Sequence, residues 1–275
     1  MNRPAGLLLR EVTKVFFPKT ANEVTALNGI DLHVDPGDFI TIIGSNGAGK
    51  STLLNSIAGT YPLSSGSVWL EGDDITGMPE YGRAQLIGRV FQDPRAGTAP
   101  SMTIEENLSM ALLRGQRRGL RRGVSSARRK RIRDQLEQLC MGLELRMTAE
   151  VAKLSGGQRQ AISLLMATVS EPRLLMLDEH TAALDPKVAG TIMEITGRIV
   201  EEKGLTTLMV THNMKLALQW GNRLIMMHMG RVVLDLDKAE KSVLGVPDLV
   251  SKFHDVAGES LVTDRMLLDA PEPVA

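Results

Sequence analysis

Residues 38–59 read Asp38-Phe39-Ile40-Thr41-Ile42-Ile43-Gly44-Ser45-Asn46-Gly47-Ala48-Gly49-Lys50-Ser51-Thr52-Leu53-Leu54-Asn55-Ser56-Ile57-Ala58-Gly59. The first six are a short apolar run with a β-branched bias, the pattern of a buried parallel strand. From Ser51 onward, Leu54, Ile57 and Ala58 recur on one helical face, and Gly59 is suited to end that helix. Gly44, Gly47 and Gly49 therefore lie in a strand-to-helix turn, where glycine lets main-chain N–H groups approach a polyphosphate closely. The helix N-terminus adds unsatisfied donors and partial positive charge. Lys50 brings a full charge to the β- and γ-phosphates, and the Ser51 hydroxyl can ligate Mg²⁺. The candidate nucleotide-binding set here is Gly44, Ser45, Asn46, Gly47, Ala48, Gly49, Lys50, Ser51 and Thr52. The spacing predicts an α/β protein with a phosphate-binding loop at the end of a sheet strand.

A loop of this form arises by chance in roughly one chain of this length in a hundred. A second motif about a hundred residues later, Leu154-Ser155-Gly156-Gly157-Gln158, makes coincidence untenable. Ser155 can cap a helix beginning near Gln158, with Ala161, Leu164, Leu165 and Thr168 on its apolar face. Gly156 and Gly157 would expose N–H groups at the positive end of that helix, making a second anion site. Ser155, Gly156, Gly157 and Gln158 thus join the nucleotide-binding set.

Three more segments end at the same kind of edge. Residues 173–177 form an apolar strand pattern followed by Asp178-Glu179. An acid at the C-terminal end of a parallel strand points into the crevice where α/β sheets bind ligands. Asp178 suits a Mg²⁺ role, through water. Glu179 suits the catalytic role of orienting and deprotonating an attacking water. Residues 206–211 form a like strand ending at His212, whose imidazole could hydrogen-bond the γ-phosphate and that water. His33, His180, His228 and His254 carry no comparable context. Gln92 follows a short strand pattern at 89–91, and its amide could reach Mg²⁺ or the water.

These landmarks, in this order, resemble ABC transporter ATPase subunits from about residue 7 to about residue 235. The resemblance implies a P-loop NTPase fold of the ABC type: a mixed, mostly parallel sheet, an antiparallel β subdomain and a helical subdomain. It places an ABC ATPase domain over residues 1–240, with the helical subdomain at 93–153 and a C-terminal extension at 241–275. It implies ATP and Mg²⁺ as ligands, with two ATP molecules sandwiched head-to-tail in a homodimer. Gln92, Glu179 and His212 take the catalytic positions, and Ser51, Gln92 and Asp178 the metal positions. Ala183-Leu184-Asp185 matches the dimer-contact loop. The aromatic that stacks on adenine is usually tyrosine; here the matching position is Phe16, with Phe17 as the alternative, a change that keeps the π-face.

More narrowly, residues 178–187, 208–214 and 221–224 look like those of a bacterial importer subgroup. Its operons encode an extracytoplasmic binding protein and a permease, and its members are often named for tryptophan or tyrosine uptake. The implied partners are a second copy of the chain, integral-membrane permease subunits and a substrate-binding protein, at the cytoplasmic face of the bacterial inner membrane. No direct nucleic-acid contact is expected. The rival from another class is a soluble ABC-type ATPase acting on nucleic acid or ribosomes; such proteins usually carry two cassettes or long coiled-coil insertions. A P-loop kinase would leave residues 154–158 without a purpose.

Composition agrees with these bounds. The 275 residues suffice for one catalytic core with a smaller insertion. No stretch reaches the roughly 18 uninterrupted apolar residues of a membrane span, and Leu7-Leu8-Leu9 is too short for a secretory apolar region. The single cysteine, Cys140, excludes an internal disulfide and reads as core filler. Net charge is zero, yet ten of the twenty residues from Arg114 to Arg133 are Arg or Lys and none is acidic. They fall between helix patterns at 103–113 and 132–141, in a stretch that Gly115, Gly119 and Gly123 make loop-like. A solvated face, attraction to anionic lipid headgroups and nucleic-acid binding are the three readings, the last lacking interleaved aromatics. Residues 1–35 read as an antiparallel strand region, 154–235 return to alternating strand and helix, and Asp269-Ala270-Pro271-Glu272-Pro273 marks a frayed tail.

Overall fold

The computed structural model describes residues 6–116 and 123–257. In chain order its elements are β1 (Leu7–Phe16), β2 (Val24–Val34), β3 (Phe39–Gly44), α1 (Lys50–Ala58), β4 (Ser65–Leu70), β5 (Asp73–Asp74), α2 (Glu80–Arg83) and β6 (Ile87–Val90). Then come α3 (Ile104–Leu112), α4 (Ser126–Glu137), α5 (Gly156–Thr168), β7 (Leu174–Asp178) and α6 (Pro186–Lys203). The last are β8 (Thr206–Val210), α7 (Met214–Gln219), β9 (Arg223–His228), β10 (Arg231–Leu236), α8 (Lys238–Ser242) and α9 (Val246–Ala257). The chain divides into two compact units, residues 1–78 with 208–275, and residues 79–207.

The first unit holds an antiparallel sheet of order β2-β1-β4-β5 and strands of a mixed sheet in the order β10-β9-β3-β8. β3 is apolar but for Thr41 and Gly44 and buried at all six positions, which is why its sequence runs continuous rather than alternating. Thr41 spends its hydroxyl on the carbonyls of Ala217 and Arg223. β3 runs parallel to β9, with Gly44 opposite Met227, whereas β9 and β10 are antiparallel. β1 alternates more cleanly, with Leu7, Leu9 and Val12 fully or nearly fully buried. Its register shifts where Glu11 takes a left-handed backbone. α9 closes this unit by burying Leu249 and Phe253 against Ile43, Met214, Leu224 and Met226.

In the second unit β6 and β7 are parallel, and α5 packs on β6, α3 and α6. α3 begins with a reciprocal cap: the Thr103 hydroxyl accepts from Glu106 N–H while Glu106 reaches back to Thr103 N–H. Asn107, wholly buried, accepts from Ala99 N–H and donates to the carbonyls of Ala99, Met102 and Thr103. One amide thereby holds the turn that leads into α3. α6 starts at Pro186 and stops at Gly204 in the left-handed conformation, as its sequence signals predict.

Three expectations change. Cys140 is exposed, not core filler. The buried stripe along α4 and just past its end is Ile132, Leu136 and Leu139, and Cys140 turns off it with a left-handed φ of 53°. The second helix of the insertion covers 126–137 rather than 132–141, because Ser125 caps it by accepting from Arg128 N–H. The basic residues from Arg128 to Arg133 are consequently helical, not loop. Arg129 turns to a buried Glu105 in a two-pronged pair at 2.7 and 2.8 Å, tying α4 to α3. Arg117, Arg118, Arg121 and Arg122 lie outside the described residues, as does the tail at 269–273.

Candidate functional site

In the first unit the phosphate-loop residues form one tight turn between β3 and α1. Gly44 has φ of 151°, and a Cβ there would lie 2.2 Å from the Met227 carbonyl oxygen, so glycine is required. Ala48 N–H donates to Ser45 O, and Ala48 O accepts from Gly230 N–H at 3.0 Å, so the β9–β10 turn braces the loop. Lys50 is buried, and its ammonium donates to the carbonyls of Gly44 and Ser45 at 2.7 and 3.0 Å. The lysine is thus folded back under the loop it belongs to. Asn46, Gly47 and Ser51 are exposed, Ser45, Ala48 and Gly49 buried and Thr52 half-buried.

α1, like α6, starts without a side-chain cap. Its N-cap is Gly49 in the left-handed conformation, whereas α3, α4 and α5 are capped by Thr103, Ser125 and Ser155. Uncapped first-turn N–H groups and a partial positive charge suit an anion, which is the fit a triphosphate requires.

Phe16, the candidate adenine platform, ends β1. Tyr61 meets its ring edge-on at 5.3 Å, and the Lys14 ammonium lies 5.0 Å from its centroid. Phe17 is the more open ring, 66% exposed and left-handed at φ 50°. His212 is exposed just past β8. Thr211 N–H donates to Ile42 O at 3.1 Å, which puts the end of β8 beside the end of β3, two residues before Gly44. Asn213 caps α7 by accepting from Leu216 N–H, and its own N–H donates to Thr211 Oγ1, so His212 is bracketed by a fixed turn.

In the second unit the parallel register of Val90 with Leu177 brings Gln92 and Asp178-Glu179 to one edge. Glu179 has φ of 47°, a left-handed backbone that costs a non-glycine residue about 1–2 kcal/mol. Such strain recurs where a side chain is aimed for use. Asp178 pairs with Arg89 at 3.5 Å. His180, set aside in the sequence, is fully buried; its Nε2 is 3.2 Å from Thr196 Oγ1, and burial pushes its pKa down to about 4. It is a neutral core histidine beneath the acidic pair.

α5 begins at Gly156, two residues earlier than the sequence suggests. Ser155 Oγ accepts from Gln158 N–H and Gln158 Oε1 accepts from Ser155 N–H, each at 3.2 Å. That reciprocal cap leaves the Gly156 and Gly157 N–H groups at the helix tip. A Cβ on Gly157 would be 2.3 Å from Val188 Cγ1 of α6, and Leu184 lies 3.5 Å from the corresponding point on Gly156. The glycines therefore also let residues 184–188 close on the helix start.

The residues expected to hold Mg²⁺ are oxygen donors of the kind a hard cation takes: the Ser51 hydroxyl in the first unit, and the Asp178 carboxylate and Gln92 amide in the second. Among the described residues no group of three or more His, Cys, Asp or Glu is placed to hold a metal. A cation would draw the rest of its shell from phosphate and water. Sequence reasoning missed Arg89 and the bracing turn at Gly230. A charge inside the buried run Ile87-Gly88-Arg89-Val90 was a usable signal for the first; nothing local signals the second.

Comparison with known proteins gives one family. The family model described as "ABC transporter" matches residues 27–182. The tyrosine transport ATP-binding protein of Clostridioides difficile is 46% identical over 248 residues, covering 90% of this chain and 98% of that one. The methionine import ATP-binding protein MetN of Corynebacterium glutamicum is 35% identical over 227 residues, covering 82% of this chain and 60% of its own length. Among solved structures, the dimeric post-hydrolysis state of the ATP-binding cassette MJ0796 bound to ADP and Pi has a TM-score of 0.72 at 29% identity, covering 84% and 98% of the two chains. Clostridium perfringens cbiO1, part of the ABC transporter complex cbiONQ, has a TM-score of 0.74 at 26% identity, covering 91% and 95%.

Proposed function

Because this chain belongs to the ABC transporter family as an ATP-hydrolysing subunit, we propose that it powers a bacterial importer of a small organic solute such as an aromatic amino acid. The observation that carries this reading is 46% identity across nearly the whole of both chains to a tyrosine transport ATP-binding protein. The methionine import relatives support import as the direction, and the dimeric cassette supports a homodimer. No helix among the described residues is long and apolar enough to cross a membrane; in this reading permease subunits supply the transmembrane path. The chain then works as a peripheral subunit on the cytoplasmic face of the inner membrane, served by an extracytoplasmic binding protein.

In this reading the N–H groups of residues 45–51 and the uncapped start of α1 receive the β- and γ-phosphates, and Lys50 turns from its loop carbonyls to pair with them. Phe16 offers its ring face to adenine. Ser51, Gln92 and, through water, Asp178 would hold Mg²⁺, which would supply positive charge to the phosphates. Glu179 orients and deprotonates the attacking water, and His212 donates a hydrogen bond as charge moves on the γ-phosphate. Ser155, Gly156, Gly157 and Gln158 complete the site from the partner subunit, which makes hydrolysis conditional on dimer closure. The test is purification from membranes with the permease co-expressed. Permease-associated ATPase stimulated by binding protein loaded with tyrosine or tryptophan is the expected result. Salt-sensitive association with RNA or ribosomes, and none with membrane, would instead establish a soluble ATPase.

A further inference from the structure

We propose that Lys241, in the C-terminal segment, is a positioning residue for His212, an inference that rests on His212 being the residue that hydrogen-bonds the γ-phosphate. His212 stands between a strand end and a short helix. On one side Thr211 N–H donates to Ile42 O of β3. On the other, Asn213 caps α7, whose Met214 and Ala217 are buried. A shift of α7 therefore moves the turn that carries His212. α7 has only six residues, too few to keep a fixed place by helix propensity alone, so its position depends on what holds it from outside.

Two ties come from β3. Thr41 Oγ1 donates to Ala217 O at 3.0 Å, and Asn222 N–H, just past α7, donates to Phe39 O at 2.9 Å. The C-terminal segment supplies the others. Lys241 of α8 is 5% exposed, and its ammonium donates to the carbonyls of Trp220 and Gly221. Those residues directly follow the last residue of α7, where unpaired carbonyls and partial negative charge favour a cation. α9 adds Leu249 and Phe253 to the buried cluster that holds Met214 and Ala217. α8 thus ties the end of α7, and α9 covers its buried face. A methionine at 241 would keep the length of the side chain but offer Trp220 and Gly221 no donor. Hydrogen bonds weaken steeply as distance and angle depart from their optimum, so a small shift of α7 costs turnover where the His212 contact strengthens with charge on the γ-phosphate. The phosphate loop is braced separately, by the turn at Gly230, so ATP affinity is spared.

The experiment measures steady-state ATPase of the full chain over a range of Mg-ATP concentrations, with far-UV circular dichroism to check folding. Lys241→Met should lower kcat roughly fivefold to tenfold with KM for ATP within about twofold, less than the hundredfold that a misplacement of about 1 Å can cost. In a His212→Ala background the same substitution should change kcat by less than about twofold, since the group it positions is gone. Leu70→Ala, a buried substitution in the antiparallel sheet of the same unit, is the control and should leave kcat near the wild-type value. A wild-type kcat in Lys241→Met, an equal loss in Leu70→Ala, or an undiminished loss in the His212→Ala background overturns the positioning role. If Lys241→Met does not fold, Leu249→Ala takes its place with the same expectations. His212→Ala alone separates the two ways of failing. Turnover at the wild-type rate there sinks the reading of His212, and this inference with it. A slow His212→Ala beside an unaffected Lys241→Met leaves that reading standing and removes only the role of Lys241.

Discussion

Glu179 concentrates the local chemistry of the proposed reaction in one residue. It follows β7 with a left-handed φ of 47°, directly after Asp178 and directly before the buried His180. The strain is understandable if the carboxylate must leave the strand direction to face a water molecule. Glu179→Gln keeps size and backbone demand while removing the base. It should bind ATP with near-wild-type affinity and hydrolyse it at least about a hundredfold more slowly, the low end for losing a general base. Steady-state ATPase with a parallel nucleotide-binding measurement checks both halves. Wild-type turnover in this variant would move the role of base to another group. The identity of Glu179 was legible as an acid after an apolar strand, but its strained backbone was not, since φ depends on what packs around the turn.

The start of α5 shows one short element serving two ends. Ser155 caps the helix, and the two glycines after it both open N–H groups and admit the side chains of Leu184 and Val188. Ser155→Ala removes the cap alone and should cost about 1 kcal/mol of stability in chemical denaturation. Ser155→Arg removes the cap and also fills the surface proposed to meet the partner's nucleotide. It should retain ATP binding by the single subunit but lose ATP-dependent dimerisation on gel filtration in the Glu179→Gln background. If Ser155→Arg dimerises as strongly as Ser155→Ala, residues 154–158 are only a capped helix start. The cap could be read from Ser155 and Gln158 three positions apart. The contact with α6 could not, because Val188 is brought there by the fold and not by spacing.

Across the whole molecule, stability carries a pH dependence from His180. Buried and neutral, it titrates near 4 in the folded chain, against about 6.5 when unfolded. Below its unfolded pKa the unfolded chain binds the proton in preference, so this contribution is complete above about pH 6.5 and drains away as pH falls toward about 4. Between about pH 7.5 and about pH 5 the nucleotide-free protein should lose about 2 kcal/mol from this group. Denaturant midpoints for wild type and His180→Gln over that range are the measurement. The variant's profile should be flatter, and parallel profiles would show that His180 is not the group responsible.

The chain's local signals were enough to nominate its family and its candidate site before any coordinates. A glycine-rich turn before Lys50-Ser51, an acid pair after a buried strand and a capped Ser-Gly-Gly are local patterns, set by backbone sterics, helix ends and the C-terminal edges of strands, and they fold as their spacing requires. What tertiary structure alone decided depends on residues far apart in sequence. Cys140 is outside because the buried stripe ends one position earlier, and His180 is a neutral core group because the fold buries it completely, against Thr196 of α6. Arg129 is an internal tie to Glu105 although it stands in a run of surface charge, and the phosphate loop is held by a turn almost two hundred residues away. Burial and pairing are properties of three-dimensional neighbours, so a local pattern can nominate a residue for chemistry but cannot say which cation, carbonyl or ring it will meet.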